Sequence, residues 1–325
     1  MPQIVILMAT YNGAAFLPRQ LASIAAQTHE NWRLICSDDS SSDDTRAVIA
    51  NFAASRAPGQ VQIIDGPRAG ATANFLHLIA QAPPGAWLAF SDQDDDWHPD
   101  KLHRALAMTA PASGPAHYSA RTLICDADLR VLTESPRFAR PFGLRNALVQ
   151  ACTAGNTSVF NPAAATILQA GAAAARAADV VAHDWWAYQL IAGAGGAILK
   201  DDTPVLKYRQ HGANEMGRND TAAARRKRLA MLFDGSFGGW LAANHMALTG
   251  AGDLLTSESR AVLHDFGAAL HAPGPLAAAC MARLRLYRHE TAGTAALYAA
   301  AAMGRLRHRT APITSGAAGS DGSAG

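Results

Sequence analysis

No stretch of this sequence approaches the roughly 18 apolar residues that a membrane-spanning helix needs. Its start, Met1 to Ala9, has neither the basic segment nor the long apolar one of a leader peptide. The expectation is a cytoplasmic protein without a membrane anchor of its own. Cysteine is scarce: Cys36, Cys125, Cys152 and Cys280 lie far apart with no CxxC pair, which excludes a disulfide scaffold and a thiolate zinc site. Three of the four sit in apolar runs, where buried, inert thiols are expected. Charge is sparse too, 17% of residues with a formal net charge of +2, so a polyanion-binding role and a nucleic-acid partner are not expected. Neither a GxGxxG dinucleotide fingerprint nor a GxxxxGK[ST] phosphate loop occurs anywhere.

What is present is alternation. Ile4 to Met8 and Leu34 to Cys36 are short apolar runs, and between them Leu17, Leu21 and Ile24 recur at helical spacing behind Pro18, a residue suited to a helix's first turn. Ser41 and Asp44 make a capping-box-like start for a helix burying Val48, Ile49 and Phe52. Val61 to Ile64 predicts a strand, Ala71 to Gln81 a helix, and Trp87 to Phe90 another strand. Such a series implies a mostly parallel, Rossmann-like α/β sheet that binds ligands at the carboxyl ends of its strands. From about Ala116 the pattern is mixed. Strand-like pieces at Thr122 to Cys125, Thr157 to Phe160, Ala197 to Leu199 and Val205 to Tyr208 are interleaved with helices near Pro162 to Ala175 and His183 to Ala192. Beyond Met216 the chain is Ala- and Leu-rich and basic, with helices expected to break at Gly238-Gly239, Gly250 to Gly252 and Pro273 to Pro275. The expected organisation is an α/β domain over 1–215, a helical appendage over 216–310 and a disordered Gly/Ser/Ala tail over 311–325.

The strongest chemical signal is Ser91-Asp92-Gln93-Asp94-Asp95-Asp96-Trp97, four acids in five positions directly after a strand. Asp92 and Asp94, at i and i+2, can aim at one point and supply the hard oxygen ligands that Mg²⁺ or Mn²⁺ takes while bridging phosphates. A solvated acidic turn capping the next helix is the bland alternative. Asp38 and Asp39 follow the second strand, where they would face the crevice and accept hydrogen bonds from a base or ribose. Thr10-Tyr11-Asn12-Gly13 follows the first strand, a place where backbone N–H groups and an aromatic ring commonly hold a nucleotide. Trp97 is open between core packing and stacking on a sugar. For Trp185 and Trp186, about 100° apart on a helix, one ring is expected inward and one outward. Arg225 to Arg228 is either a solvated helix face or a peripheral dock to anionic lipid.

Residues 4 to 212 resemble the family 2 glycosyltransferases of GT-A fold. The likeness rests on Ala9-Thr10-Tyr11-Asn12, Asp38-Asp39-Ser40, Phe90-Ser91-Asp92-Gln93-Asp94-Asp95, His183-Asp184-Trp185-Trp186 and Tyr208-Arg209-Gln210-His211-Gly212, in that order. The FSDQDD, HDWW and YRQHG forms are most similar to the rhamnosyltransferase-like subgroup, which builds bacterial surface polysaccharides. The resemblance implies an inverting, metal-dependent transfer of a sugar from a nucleotide diphosphate donor to a glycan or lipid-linked acceptor. dTDP-rhamnose is the favoured donor and a UDP-sugar the other. It implies nucleoside contacts from Thr10, Tyr11 and Asp39, to which Asn12, Asp38 and Asp92 are added as nucleotide-binding residues, and a metal site at Asp92 and Asp94 with His211 close to the metal or diphosphate. Asp184 takes the place of the catalytic base, with His183 where many relatives have an acid. Gly155, Asn156 and Thr157 resemble the acceptor-side segment, to which Trp185 and Trp186 are added. The QxxRW motif of processive synthases is missing, which favours single-sugar transfer.

Two other classes compete. A sugar-phosphate nucleotidyltransferase would share the sheet and the acids but carry a Gly-rich, basic loop after the first strand, and Ala14 to Gln20 offers only Arg19. A non-enzymatic carbohydrate-binding protein would have no use for both a DxD and Asp184.

Overall fold

The computed structural model describes residues 1–211, 226 and 230–307. Strand β1 (Ile4–Thr10) leads through α1 (Leu17–Ala25) to β2 (Trp32–Asp38). α2 (Thr45–Ala54), β3 (Val61–Asp65), α3 (Gly70–Gln81) and β4 (Trp87–Ser91) follow. β1 pairs in parallel with β2 and β4, and β2 with β3. Because side chains alternate along a strand, β1 feeds two cores. Ile4, Ile6 and Met8 pack with Leu17, Leu21 and Ile24 of α1, whereas Val5 and Leu7 pack with Phe75, Leu78 and Ile79 of α3. That double burial is why the strand is apolar at successive positions.

Next come β5 (Asp96–Trp97), α4 (Lys101–Thr109), β6 (Ala116–Cys125), β7 (Val131–Glu134) and α5 (Leu144–Ala147). β8 (Val159–Phe160), α6 (Pro162–Ala177), α7 (His183–Gly193) and β9 (Ala197–Arg209) complete this part. The nine strands among the described residues form one sheet in the order β3-β2-β1-β4-β8-β6-β9-β5, with β7 on β6. Strand order reverses around β1, whose neighbours are β2 and β4. The crevice beyond the carboxyl ends of these three strands is therefore bounded by the segments after Thr10, Asp38 and Ser91.

Four later helices, Ser236–Gly250, Ser257–His271, Gly274–Arg283 and Thr291–Ala302, pack into the α3 side of the molecule. Their Leu241, Leu248, Phe266, Met281 and Leu297 belong to the same apolar core as Trp185 and Leu190 of α7. No helix among the described residues is long and apolar enough to cross a membrane.

The structure departs from the sequence expectations in several places. The pieces at Ala197 and Val205 are one strand, since the polar Asp201-Asp202-Thr203-Pro204 stretch stays in the sheet with a register shift against β6. Arg104 donates to both oxygens of Asp201 and Tyr118 Oη donates to one, which replaces the solvent a turn would have provided. Gly238-Gly239 lies inside a helix rather than between two: a Cβ on Gly238 would stand 2.9 Å from the Leu306 carbonyl oxygen, so glycine there permits close packing. α2 begins at Thr45, and Ser41 does not cap it; Ser41 instead donates to Asp38 and accepts the Asn12 N–H. Cys36, Cys125 and Cys152 are buried, as expected. Of the basic run only Arg226 is described, exposed on a helix, and the tail over 311–325 lies outside the described residues.

Candidate active site

The acidic segment after β4 folds back on itself. Asp92, Asp94 and Asp95 bring one carboxylate oxygen each to within 4.8 Å of one another. Asp96, the fourth acid, leaves the group and pairs with Arg19 Nη2 at 2.8 Å. Asp95 is fully buried, accepting from Asn156 Nδ2 at 2.7 Å and from the Arg209 N–H at 3.4 Å. Burial, then the neighbouring charges of Asp94 and Asp92, push its carboxyl well above the ordinary range. Asp94 Oδ2 lies 2.7 Å from His211 Nε2, and the His211 ring stacks on Phe16 with centroids 4.3 Å apart. Arg209 Nε donates to the Asp94 carbonyl oxygen at 2.8 Å, so the end of β9 clasps the acidic segment from behind.

Lys101 is also completely buried. Its Nζ donates to the Asn156 carbonyl oxygen at 2.7 Å and stands 3.0 Å over the Trp97 ring, while burial pushes the ammonium well below its usual range. Trp97 is therefore core, 3% exposed, and offers no face to a sugar.

The nucleotide-side loops are tied to one another. Gln93 accepts the Tyr11 N–H at 3.0 Å and donates to the Tyr11 carbonyl at 2.9 Å, leaving the Tyr11 side chain out in solvent. Asn12, in the left-handed region at φ 46°, accepts the Ser42 N–H at 2.8 Å. Thr10 and Asp38 do not open into the crevice. Thr10 is 1% and Asp38 2% exposed; Asp38 accepts from Thr10 Oγ1 at 3.2 Å and from the Ser41 hydroxyl and N–H, because it must satisfy the turn that leaves β2. Asp39 accepts the N–H groups of Arg68 and Gly70, where Arg68 is itself at positive φ. These two acids shape the wall.

α7 starts at His183 and holds Asp184 half-buried in its first turn. Asp184 Oδ2 accepts the Gly155 N–H at 3.0 Å and Oδ1 its own helix's Trp185 N–H at 2.7 Å. Burial raises its pKa, and the two N–H groups recover only part of that shift. His183 stacks on Phe75 with centroids 3.8 Å apart, and burial pushes its imidazole down to about 3, so the ring is neutral.

The acceptor-side expectation needs correcting. Gly155–Thr157 is a short 3-10 turn in which Asn156 and Thr157 are buried, Asn156 facing Asp95 and Thr157 Oγ1 donating to the Ala154 carbonyl at 2.8 Å. Trp185 and Trp186 are 3% and 0% exposed. Neither ring points outward, because α7 is covered on one side by α6 and on others by α5 and the Ser236–Gly250 helix. Trp185 Nε1 donates to the Ala147 carbonyl at 2.7 Å. Lys101, Arg209, Phe16 and Gln93 were not singled out from the sequence. A lysine five positions behind four consecutive-looking acids, and the arginine inside YRQHG, were the available signals.

Comparison with known proteins bears on the family and the fold. The family model described as Glycosyl transferase family 2 matches residues 5–114. The dTDP-rhamnosyl transferase RfbG of Shigella flexneri is 28% identical over 233 residues, covering 69% of this chain and 78% of that protein. The Escherichia coli UDP-Glc:alpha-D-GlcNAc-diphosphoundecaprenol beta-1,3-glucosyltransferase WfgD is 31% identical over 103 residues, 32% of this chain and 39% of that one. The crystal structure of S. aureus TarS 1-349 in complex with UDP-GlcNAc superposes with a TM-score of 0.50 at 14% identity, over 94% of this chain and 90% of that one, a likeness of fold alone. Residues 5–114 thus carry a glycosyl transferase family 2 domain, and the protein is a glycosyltransferase of GT-A fold.

Proposed function

We propose that this glycosyltransferase moves a sugar, L-rhamnose foremost, from its nucleotide diphosphate to a hydroxyl of a glycan or lipid-linked acceptor, with inversion, in building bacterial surface polysaccharide. One observation carries the reading. The acidic cluster and Asp184 are tied to one turn: Asn156 donates to Asp95 of the cluster and the adjacent Gly155 N–H donates to Asp184. The likeness to RfbG over 233 residues supports dTDP-rhamnose as donor; WfgD, matching over 103, keeps a UDP-sugar as the second choice.

In this reading Tyr11 and Asn12 receive the nucleoside, with Thr10, Asp38 and Asp39 fixing the loops behind them. Three carboxylates crowded within 4.8 Å, with a histidine on one of them, fit a hard divalent cation, Mg²⁺ or Mn²⁺, held by Asp92 and Asp94. When bound, such an ion supplies neutralising charge to the departing diphosphate. Asp184 takes the proton of the acceptor hydroxyl as its oxygen bonds to the anomeric carbon. The bond from that carbon to the diphosphate oxygen breaks, its electron pair leaves with the nucleotide, and configuration inverts. Residues 1–215 would be the catalytic domain and 216–310 a helical appendage sharing its core. We place the protein in the cytoplasm, with Arg225 to Arg228 as its peripheral contact to anionic lipid.

The test is a panel of nucleotide sugars screened for thermal stabilisation with and without Mn²⁺, because a ligand that binds only the folded state raises the melting temperature. A metal-dependent shift with dTDP-rhamnose is expected. Equal shifts in EDTA would overturn the metal, and a response to UDP-hexoses alone would overturn the donor.

A further inference from the structure

We infer that the turn Gly155–Thr157 is a strut that sets the distance between the metal acids and the base, with Asn156 and Lys101 as its positioning residues. The inference rests on the reading of Asp184 as base and of Asp92 and Asp94 as metal ligands.

The geometry is short and closed. Asn156 Nδ2 donates to Asp95 Oδ2 at 2.7 Å, and the adjacent Gly155 N–H donates to Asp184 Oδ2 at 3.0 Å. Two consecutive residues thus hold one carboxylate of the acidic cluster and Asp184. The turn itself has little freedom: Thr157 N–H bonds back to the Ala154 carbonyl, Ser158 N–H to the Gly155 carbonyl, and Thr157 Oγ1 accepts the Ala120 N–H at 3.1 Å. Lys101 Nζ grips the Asn156 carbonyl from the other face at 2.7 Å. A Cβ on Gly155 would stand 3.1 Å from Asp184 Cβ and 3.1 Å from His183 Nε2, so a larger residue there would press on both neighbours. Asp95 is fully buried, with Oδ2 accepting from Asn156 and Oδ1 from the Arg209 N–H, so it serves as the anchor of the strut. A displacement near 1 Å between reacting groups is enough to lower a rate about a hundredfold.

A strut predicts a particular pattern. In the full-length protein, Asn156→Ala should lower kcat by at least about tenfold for Mn²⁺-dependent hydrolysis of the nucleotide sugar, with water as acceptor. The KM for the nucleotide sugar, and Mn²⁺ affinity read from the free-ion EPR signal, should stay within about threefold, since neither depends on where the base stands. Lys101→Met, which keeps the stem over Trp97 but releases the carbonyl, should lower kcat in the same way. In an Asp184→Asn background both changes should lose most of their effect, because a misplaced base cannot matter once it is absent. Asn156→Ser, whose hydroxyl is too short to reach Asp95, serves if the alanine variant does not fold. Losses that multiply with Asp184→Asn, an unchanged kcat, or a loss confined to Mn²⁺ affinity would each overturn the strut. If Asp184→Asn alone is fully active, the base assignment falls and takes the strut with it. A slow Asp184→Asn beside a normal Asn156→Ala removes only the strut.

Discussion

Asp94 and His211 are 117 positions apart in sequence, yet Oδ2 of the one lies 2.7 Å from Nε2 of the other. The contact joins the loop after β4 to the end of β9, a strand whose antiparallel pairing with β5 brings Lys207 opposite Asp96. β9 therefore delivers Arg209 and His211 to the back of the acidic segment, and Phe16, beneath both, ties in the α1 entry. A carboxylate given a donor on one oxygen is oriented before any ion arrives, which reduces what binding must order.

Asp92→Asn and Asp94→Asn should each lower turnover by at least about a hundredfold, because a metal-held leaving group contributes several kcal/mol of charge stabilisation. Melting temperature without ligand should hold or rise, since each change relieves repulsion inside the cluster. The Mn²⁺-dependent part of donor stabilisation should vanish. Turnover unaffected by EDTA in the unaltered protein would refute the assignment.

Trp186→Ala should destabilise the fold by about 3–5 kcal/mol in urea unfolding, the usual loss for a large buried aromatic side chain. Trp186→Phe should cost less than about 1.5 kcal/mol, because it also removes an indole N–H that has no hydrogen-bond partner among the described residues. Donor affinity should be unchanged in both. A weakened donor with unchanged stability would return this ring to the substrate.

The parts of the molecule that follow from periodicity were legible beforehand. Ile4 to Met8, Trp87 to Phe90 and the acids behind the latter needed only local chemistry, and so did Pro18 in its helix. What stayed hidden depends on partners far away in sequence. Whether Asp38 faces the crevice or its own turn is decided by Thr10, 28 positions earlier, together with the nearby Ser41, and the direction of Asn156 by Asp95, 61 positions earlier. The Trp185-Trp186 expectation failed because a helical wheel assumes one exposed face, and α7 has none at those positions. Gly238-Gly239 looked like a break because the neighbour that requires glycine, Leu306, lies near the far end of the described chain.

Gly238→Ala tests that last point. Its Cβ would come within 2.9 to 3.1 Å of the Leu306 carbonyl and Cα, backbone atoms that cannot rotate away. Overpacking of this kind costs about 1–3 kcal/mol, against a helix-propensity gain of about 1 kcal/mol for alanine over glycine. Net destabilisation in thermal or urea unfolding is expected. Gly239→Ala, with open space around its Cβ, should stabilise instead. Equal behaviour of the two would mean that the helix does not pack here.

The last prediction concerns the pH dependence that Asp184 imposes. Burial disfavours its charged form, and the N–H groups of Trp185 and Gly155 only partly compensate, so the carboxyl titrates above its ordinary value of 3.8. A general base acts when ionised. The acid limb of kcat/KM should therefore lie above the ordinary carboxylate range, with rate rising as pH rises through the raised pKa. Stability runs the other way: the folded state holds this proton more tightly than the unfolded chain. The residue's contribution is thus fully present below the ordinary value and is lost as pH climbs through the raised one. The site gains its base where the fold loses that contribution. Asp184→Asn should remove the limb and lower the rate about 10²- to 10⁴-fold while leaving Mn²⁺ and donor binding in place. If Asp184 serves only the helix start, asparagine should substitute with little loss, and a variant keeping more than about a tenth of the rate would show that the proton goes elsewhere.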